Sequence, residues 1–173
     1  MLLQIGRSAE QETLVALLLA CHERIRRFSR LALTLAERDD LASSELVSAV
    51  EGCARYFAEA LPLHVRDEED SVMPRLLGLR PELDEALDAM RAEHRGHEPG
   101  ISALLGALDA LRASPSEGAR QRLREVAEPL VRELEEHLRA EEARIFPALR
   151  ELLSADEERA AIAELRARRS TIG

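Results

Sequence analysis

An eleven-residue pattern that begins with a histidine and has a glutamate four residues later occurs twice in this sequence. The first stretch contains His64 and Glu68, and the second contains His137 and Glu141, 73 positions further along the chain. Each stretch continues with an apolar pair and a proline. Residues at i and i+4 lie on the same face of an α-helix, so each stretch would present an imidazole nitrogen beside a carboxylate. Such a pair is half of a transition-metal site.

Two further histidines, His22 and His94, are separated by almost the same distance, 72 positions. Each of the four histidines falls on the apolar face of its own predicted helix. Buried imidazoles and carboxylates without a metal would be a costly cluster. We therefore predict that six side chains bind metal: His22, His64, Glu68, His94, His137 and Glu141.

The size of this set predicts two metal ions. A single zinc ion takes about four ligands, so two of the six side chains would be left over. Two ions that hold two histidines each and share both carboxylates use all six. Nitrogen and oxygen ligands without thiolate favour iron, with manganese as an alternative and zinc as a weaker one. Two irons joined by an oxo or hydroxo bridge would keep open positions for dioxygen, nitric oxide or peroxide.

The elements that must position these residues are long helices. Leu, Ala, Glu and Arg dominate the chain, aromatic residues make up 2% of it, and no alternating β pattern is present. The chain is therefore predicted to be all-α, an antiparallel up-down four-helix bundle with a short C-terminal fifth helix. The bundle would occupy residues 1–153, and the short helix and tail 154–173. The predicted helices cover about 8–38, 43–77, 81–113 and 115–153, with the fifth starting after Ser154.

Local signals refine these helices. The stretches 8–11 and 154–157 have the form of capping boxes, and Ser114 is predicted to cap the fourth helix. Pro62 should bend the second helix, and Pro99 should bend or loosen the third.

Composition and charge exclude several classes of function. A net charge of −9 argues against nucleic-acid binding, and the arginines near the end, Arg166, Arg168 and Arg169, fit a solvated helix terminus. Cys21 and Cys53 suggest buried thiols rather than a disulfide framework. No apolar run approaches the length of a membrane span, and a cytoplasmic protein is expected. The oligomeric state is left open.

At these residues the sequence resembles the hemerythrin-like (HHE cation-binding) family over about residues 10–153. The resemblance implies a four-helix bundle with a non-heme di-iron centre held by the six residues named above. Oxygen-carrying members have another histidine four residues after the one on the third helix. Here that position is Glu98, with His97 one residue earlier. Either Glu98 or His97 fills the position, or it stays open.

The pattern of four histidines and two glutamates is most similar to that of the iron–sulfur-cluster repair proteins and of the iron- or oxygen-sensing members of that family. Repair members carry an additional cysteine-containing N-terminal domain that this sequence lacks. The predicted function is binding or sensing of dioxygen, nitric oxide or peroxide, in stress or iron homeostasis. A di-iron oxidase or peroxidase acting on an organic substrate, an iron-responsive interaction module and a metal-free bundle are the alternatives. Whether the protein is an enzyme stays open.

Three residues that are not predicted ligands are expected to lie near the metal site. Glu69 and Glu142 each follow a ligand glutamate and should point about 100° away, toward solvent or toward salt bridges around the site. Tyr56, the single tyrosine, is expected either to fill the helix interface or to donate a hydrogen bond to a bound oxygen species.

Overall fold

A computed structural model describes residues 12–170, and within that range the chain is helical and contains no strand. Connections of two to five residues join successive helices, so neighbours run antiparallel. The predicted all-α bundle with a short fifth helix is confirmed. The helices are α1 (Leu14–Glu37), α2 (43–76), α3 (Pro81–Ala113), α4 (Glu117–Leu152) and α5 (Ala155–Ser170).

The helix starts follow their capping residues. Thr13 caps α1 by accepting a hydrogen bond from the Ala16 amide at 3.1 Å, and the predicted capping box at 8–11 lies outside the described residues. The prediction for α4 was two residues early, because Ser116 rather than Ser114 is the cap. The box at 154–157 is present as predicted, with reciprocal bonds between Ser154 and Glu157.

Helix α2 is a continuous rod that contains two π-helical turns, Tyr56–Ala60 and Asp67–Val72. Each turn is closed by an amide that bonds to the carbonyl five residues earlier, Leu61 to Tyr56 and Met73 to Glu68. Each closing amide directly precedes a proline, which has no N–H to continue the α-helical ladder. The distortion predicted at Pro62 therefore takes the form of a π turn, a feature that is frequent at functional sites.

Helix α3 passes through its proline without a break. Secondary structure is α-helical on both sides of Pro99, so the predicted loosening there is not seen. The adjacent Gly100 affects how closely α3 and α4 pack. A Cβ at this position would lie 3.1 Å from the Leu130 side chain, so the glycine allows α4 to approach α3 closely below the site.

The apolar core is divided into two clusters by a polar layer. One cluster contains Ile25, Leu61, Leu104 and Leu134, and the other contains Leu18. Along α1, His22 lies between Leu18 and Ile25, and the other predicted ligands fall at the same depth in their helices. The metal-binding candidates thus form one layer across the middle of the bundle, sealed by hydrocarbon above and below.

Helix α5 packs against α1 and against the part of α2 around residues 67–72. Ala161 and Leu165 are buried in the second apolar cluster, and the amide of Leu14 donates to the Glu158 carboxylate at 2.9 Å. Among the described residues, no helix is both long and apolar enough to cross a membrane.

Candidate metal centre

The six predicted ligands meet in two groups that share both glutamates. Cluster A contains His22 and His64 with Glu68 and Glu141, and cluster B contains His94 and His137 with the same two glutamates. In each cluster one ligand atom from every member lies within 4.8 Å of the others. All six side chains are at most 7% exposed.

The two oxygens of each carboxylate face different clusters. Glu68 directs Oε1 to His64 Nε2 at 3.2 Å and Oε2 to His94 Nε2 at 3.3 Å. Glu141 directs Oε2 to His22 Nε2 at 3.2 Å and Oε1 to His137 Nε2 at 3.1 Å. Two ligands about 2.1 Å from one ion are separated by ~3.0 Å at a right angle and ~3.4 Å at the tetrahedral angle. The spacing therefore suits two ions bridged by two carboxylates.

The unpartnered atoms of the layer fit the same arrangement. Buried side-chain atoms that make no hydrogen bond include both oxygens of Glu68 and Glu141 and the Nε2 atoms of three histidines: His22, His64 and His94. Buried polar atoms are normally satisfied, and orphaned ones need an explanation. Because these atoms are the ones that converge, a pair of metal ions explains them together.

Three of the four histidines are oriented by a glutamate on their other ring nitrogen. The Nδ1 groups of His22 and His94 donate to Glu142 and Glu69 at 2.8 Å and 2.9 Å. The predicted salt-bridge role of these two glutamates therefore agrees with the structure. Such contacts fix the tautomer and direct Nε2 toward the converging carboxylates, where it could bind a metal. Glu142 is itself held by Arg26 at 2.9 Å.

The third such glutamate was not predicted from the sequence. Glu93 accepts a hydrogen bond from His137 Nδ1 at 2.7 Å, across the α3–α4 interface. It shares with Glu69 and Glu142 a position directly next to a ligand in the sequence, and this adjacency is the signal that could have drawn attention to it.

His64 is the histidine without a glutamate on Nδ1, and its neighbour there is Cys21. Burial would raise the pKa of the Cys21 thiol, but His64, Arg24 and Arg169 outweigh it and lower the pKa. By contrast, burial alone raises the pKa of Cys53 to about 12. Both cysteines are free and buried, so the expectation of two similar apolar thiols holds for Cys53, whereas Cys21 adjoins the centre.

Three other candidates lie outside the two clusters. His97 is buried and packs its ring at 5.1 Å from that of His137, but it belongs to neither group. Glu98 is exposed beside an outer groove. Tyr56 stacks on Phe28 at 4.1 Å within the first apolar cluster, which agrees with a role as interface filler.

Two neighbouring spaces lie beside the centre. An inner cavity of about 20 Å³ touches His64, His94, His97 and His137 and is otherwise lined by aliphatic side chains. About 10–15 Å³ suffices for one water, so this cavity holds a molecule of about that size. An outer groove of about 580 Å³ runs between α2 and α3 and also reaches His94. The two spaces share the walls Leu61, Val65, His94 and Ile101.

The carboxylates change the proton affinity of the histidines around them. Burial would lower the pKa of His22, but Glu141 and Glu68 outweigh it and raise the pKa to about 10. The pKa of His137 is raised to about 9 by Glu141 and Glu93 against the same effect of burial. Burial would raise the pKa of Glu68, but the surrounding imidazoles hold it well below its ordinary value. In the metal-free protein, protons on the histidines therefore balance the charge of the two carboxylates.

Exchange of these protons for metal predicts opposite pH dependences for the two forms. Because the folded metal-free protein holds protons on His22 and His137 more tightly than the unfolded chain, their stabilisation is complete below pH 6.5 and is lost as the pH rises toward 9 to 10. Metal binds the unprotonated imidazoles, so metal affinity increases as the pH rises over the same range. We expect calorimetry to show that metal loading raises the melting temperature, and that this increase is larger at pH 9 than at pH 6.5. A constant gain across this range would contradict the exchange.

The C-terminal helix reaches the centre through a buried aspartate that the sequence analysis did not single out. Asp67 precedes Glu68, is fully buried, and receives Arg168 at 2.8 Å and Arg169 at 2.5 Å. Arg168 also donates to Ser71 at 2.6 Å. The prediction that these arginines form a solvated terminus is wrong for Arg168, whose side chain is 12% exposed, and Arg169 is exposed but pairs with the buried Asp67. The prediction holds for Arg166, which is exposed.

The helices, the polar layer and its orphaned atoms define the class of this protein as a metal-binding four-helix bundle. The chain matches the Hemerythrin HHE cation binding domain over residues 13–111 and 100–173. It therefore belongs to the hemerythrin HHE cation-binding family. An uncharacterized protein of Haemophilus influenzae is 28% identical to it over 144 residues, which cover 82% of this chain and 81% of the relative.

Proposed function

We propose that this protein is a non-heme di-iron protein that binds dioxygen, nitric oxide or peroxide and serves as a sensor or scavenger of such molecules. Iron is favoured because the donor set is four imidazoles and two carboxylates, without a thiolate in either cluster. A bound iron pair would supply redox-active metal positions for a small ligand. His22 and His64 would hold one ion, His94 and His137 the other, and the glutamates both.

The observation that carries this proposal is the size and lining of the inner cavity. It adjoins histidines of both clusters, has a volume of about 20 Å³, and is walled mainly by Leu, Ile and Val side chains. A space of this size accepts a diatomic molecule or peroxide but no organic substrate. The side of the centre where such a ligand would bind is therefore walled mainly by hydrocarbon.

The test is to load the full-length protein with iron under anaerobic conditions and mix it with nitric oxide, dioxygen and hydrogen peroxide in a stopped-flow spectrometer. We expect about two irons per chain and near-ultraviolet oxo-bridge absorption after oxidation. At least one of the three molecules should produce a new absorption band within the mixing experiment. A stoichiometric single zinc, or two irons that respond to none of the molecules, would refute the proposal.

A second candidate, oxidation of an organic substrate, is favoured by the outer groove. Its volume of about 580 Å³ is in the range of small-molecule sites, and Arg66, Arg95 and Glu98 surround its apolar floor. The same stopped-flow experiment separates the two functions. A sensor forms an adduct that persists until the ligand is removed, whereas an oxidase returns to its starting spectrum only when a reducing substrate is added.

A further inference from the structure

His97 is the polar residue on the wall of the inner cavity that neither metal cluster uses. The cavity is lined by four histidines, of which His64, His94 and His137 belong to the clusters, and by six aliphatic residues. His97 is 7% exposed, and its ring packs edge-to-face on that of His137. Its nitrogens make no hydrogen bond to any residue in the described range 12–170.

His97 is largely buried, yet its ring nitrogens are not among the fully enclosed atoms that lack a partner, so they still face accessible space. The packing on His137 explains the position of the ring but gives its single N–H no acceptor within the protein. Coordination is not supported, since no nitrogen of His97 joins either set of converging atoms. What remains next to this side chain is the inner cavity itself.

We infer that His97 donates a hydrogen bond to the small molecule that occupies the inner cavity and so determines how long that molecule stays bound. The inference rests on the proposed function. The remaining wall away from the metal clusters is hydrocarbon, formed by residues such as Leu61, Ile101 and Leu134. Apart from the three histidines of the metal clusters, His97 is the side chain with an N–H donor on this wall, so a bound ligand atom that points away from the clusters faces either an aliphatic side chain or His97.

The test uses the iron-loaded full-length protein with azide and nitric oxide as probes. His97→Phe keeps a planar ring without a donor, His97→Leu is a second apolar replacement in case the first does not fold, and His97→Gln keeps an N–H donor. A neutral hydrogen bond contributes up to about tenfold in equilibrium, and we expect its loss to raise the dissociation rate of one or both probes by about that factor. The bound-azide stretching band should shift in the same variants, and His97→Gln should stay within about threefold of wild type.

Ile101→Leu is the matched control, because it changes the shape of the same wall without altering a polar group, and its dissociation rates should stay near wild type. All variants should retain the full iron content. A loss of iron in His97→Phe and His97→Leu would make His97 a metal ligand and overturn the inference. If the wild type binds the probes and His97→Phe and His97→Leu leave the dissociation rates and the azide band unchanged, the inference is wrong while the proposed function stands. A wild-type protein that holds two irons and binds neither probe would instead refute the proposed function, and the inference with it.

Discussion

Replacing Glu68 by alanine is expected to remove both metal ions, whereas replacing His64 by alanine should remove one. The difference follows from the division of the Glu68 carboxylate, whose oxygens lie 3.2 Å from His64 Nε2 in cluster A and 3.3 Å from His94 Nε2 in cluster B. Glu68→Ala therefore takes a ligand from both ions, and His64→Ala takes one from cluster A alone. Metal analysis after desalting would give close to none and close to one iron per chain.

Two further variants complete this comparison. His137→Ala should match His64→Ala in stoichiometry, because it removes a ligand of cluster B alone. Glu136→Ala is the control for loss of a carboxylate, since Glu136 adjoins His137 in the sequence but is exposed. It should keep the wild-type iron content. If Glu68→Ala retained two irons per chain, or lost the same single iron as His64→Ala, the bridging arrangement would be wrong.

The convergence of the six side chains in one layer could be predicted because its signals are local. His64 and Glu68 lie four residues apart on one helix, and so do His137 and Glu141, so helical geometry alone brings each pair together. His22 and His94 interrupt apolar stripes, which places them on buried faces. Once four such faces are required to meet in an antiparallel bundle, the depth of each histidine in its helix nearly determines that they share one layer. No long-range contact had to be known.

The surroundings of the layer could not be predicted in the same way, because they depend on how helices cross. Glu93 and His137 are 44 positions apart and meet through the packing of α3 on α4. The π turns of α2 depend on how a proline is accommodated, and a different outcome is seen at Pro99, where the helix continues unbroken. Asp67 lies one residue from a ligand in a strongly acidic stretch, where nothing in the sequence separates it from its exposed neighbour Asp70.

The contacts of α5 show how a segment beyond the four helices supports the centre. Arg168 and Arg169 bind Asp67 within the π turn that also contains Glu68. Glu164 in turn accepts hydrogen bonds from Ser71 at 2.5 Å and Arg75 at 2.7 Å in the same part of α2. These side-chain contacts from α5 are made on the π turn and on the residues that follow it. The position of Glu68 is therefore tied to the docking of α5.

The double variant Arg168→Ala/Arg169→Ala is expected to destabilise the protein by about 3–5 kcal/mol, because it leaves the fully buried Asp67 carboxylate without its cationic partners. Urea unfolding of the metal-free protein would measure this loss, so that it is not confused with a change in metal affinity. Adding Asp67→Asn to the double variant should recover part of the stability, since the buried group is then neutral.

Arg166→Ala is the matched control on the same helix. Its guanidinium also forms an ion pair, with Glu12 at 2.7 Å, but both side chains are more than half exposed, and such pairs contribute about 0–1 kcal/mol. A double variant no less stable than Arg166→Ala would show that Asp67 finds solvent when the arginines are removed, and that α5 does not hold the π turn. A large loss in the double variant alone, accompanied by weaker iron binding, would establish that the C-terminal helix and the metal centre stabilise each other, because any ligand that binds the folded state alone is linked to its stability.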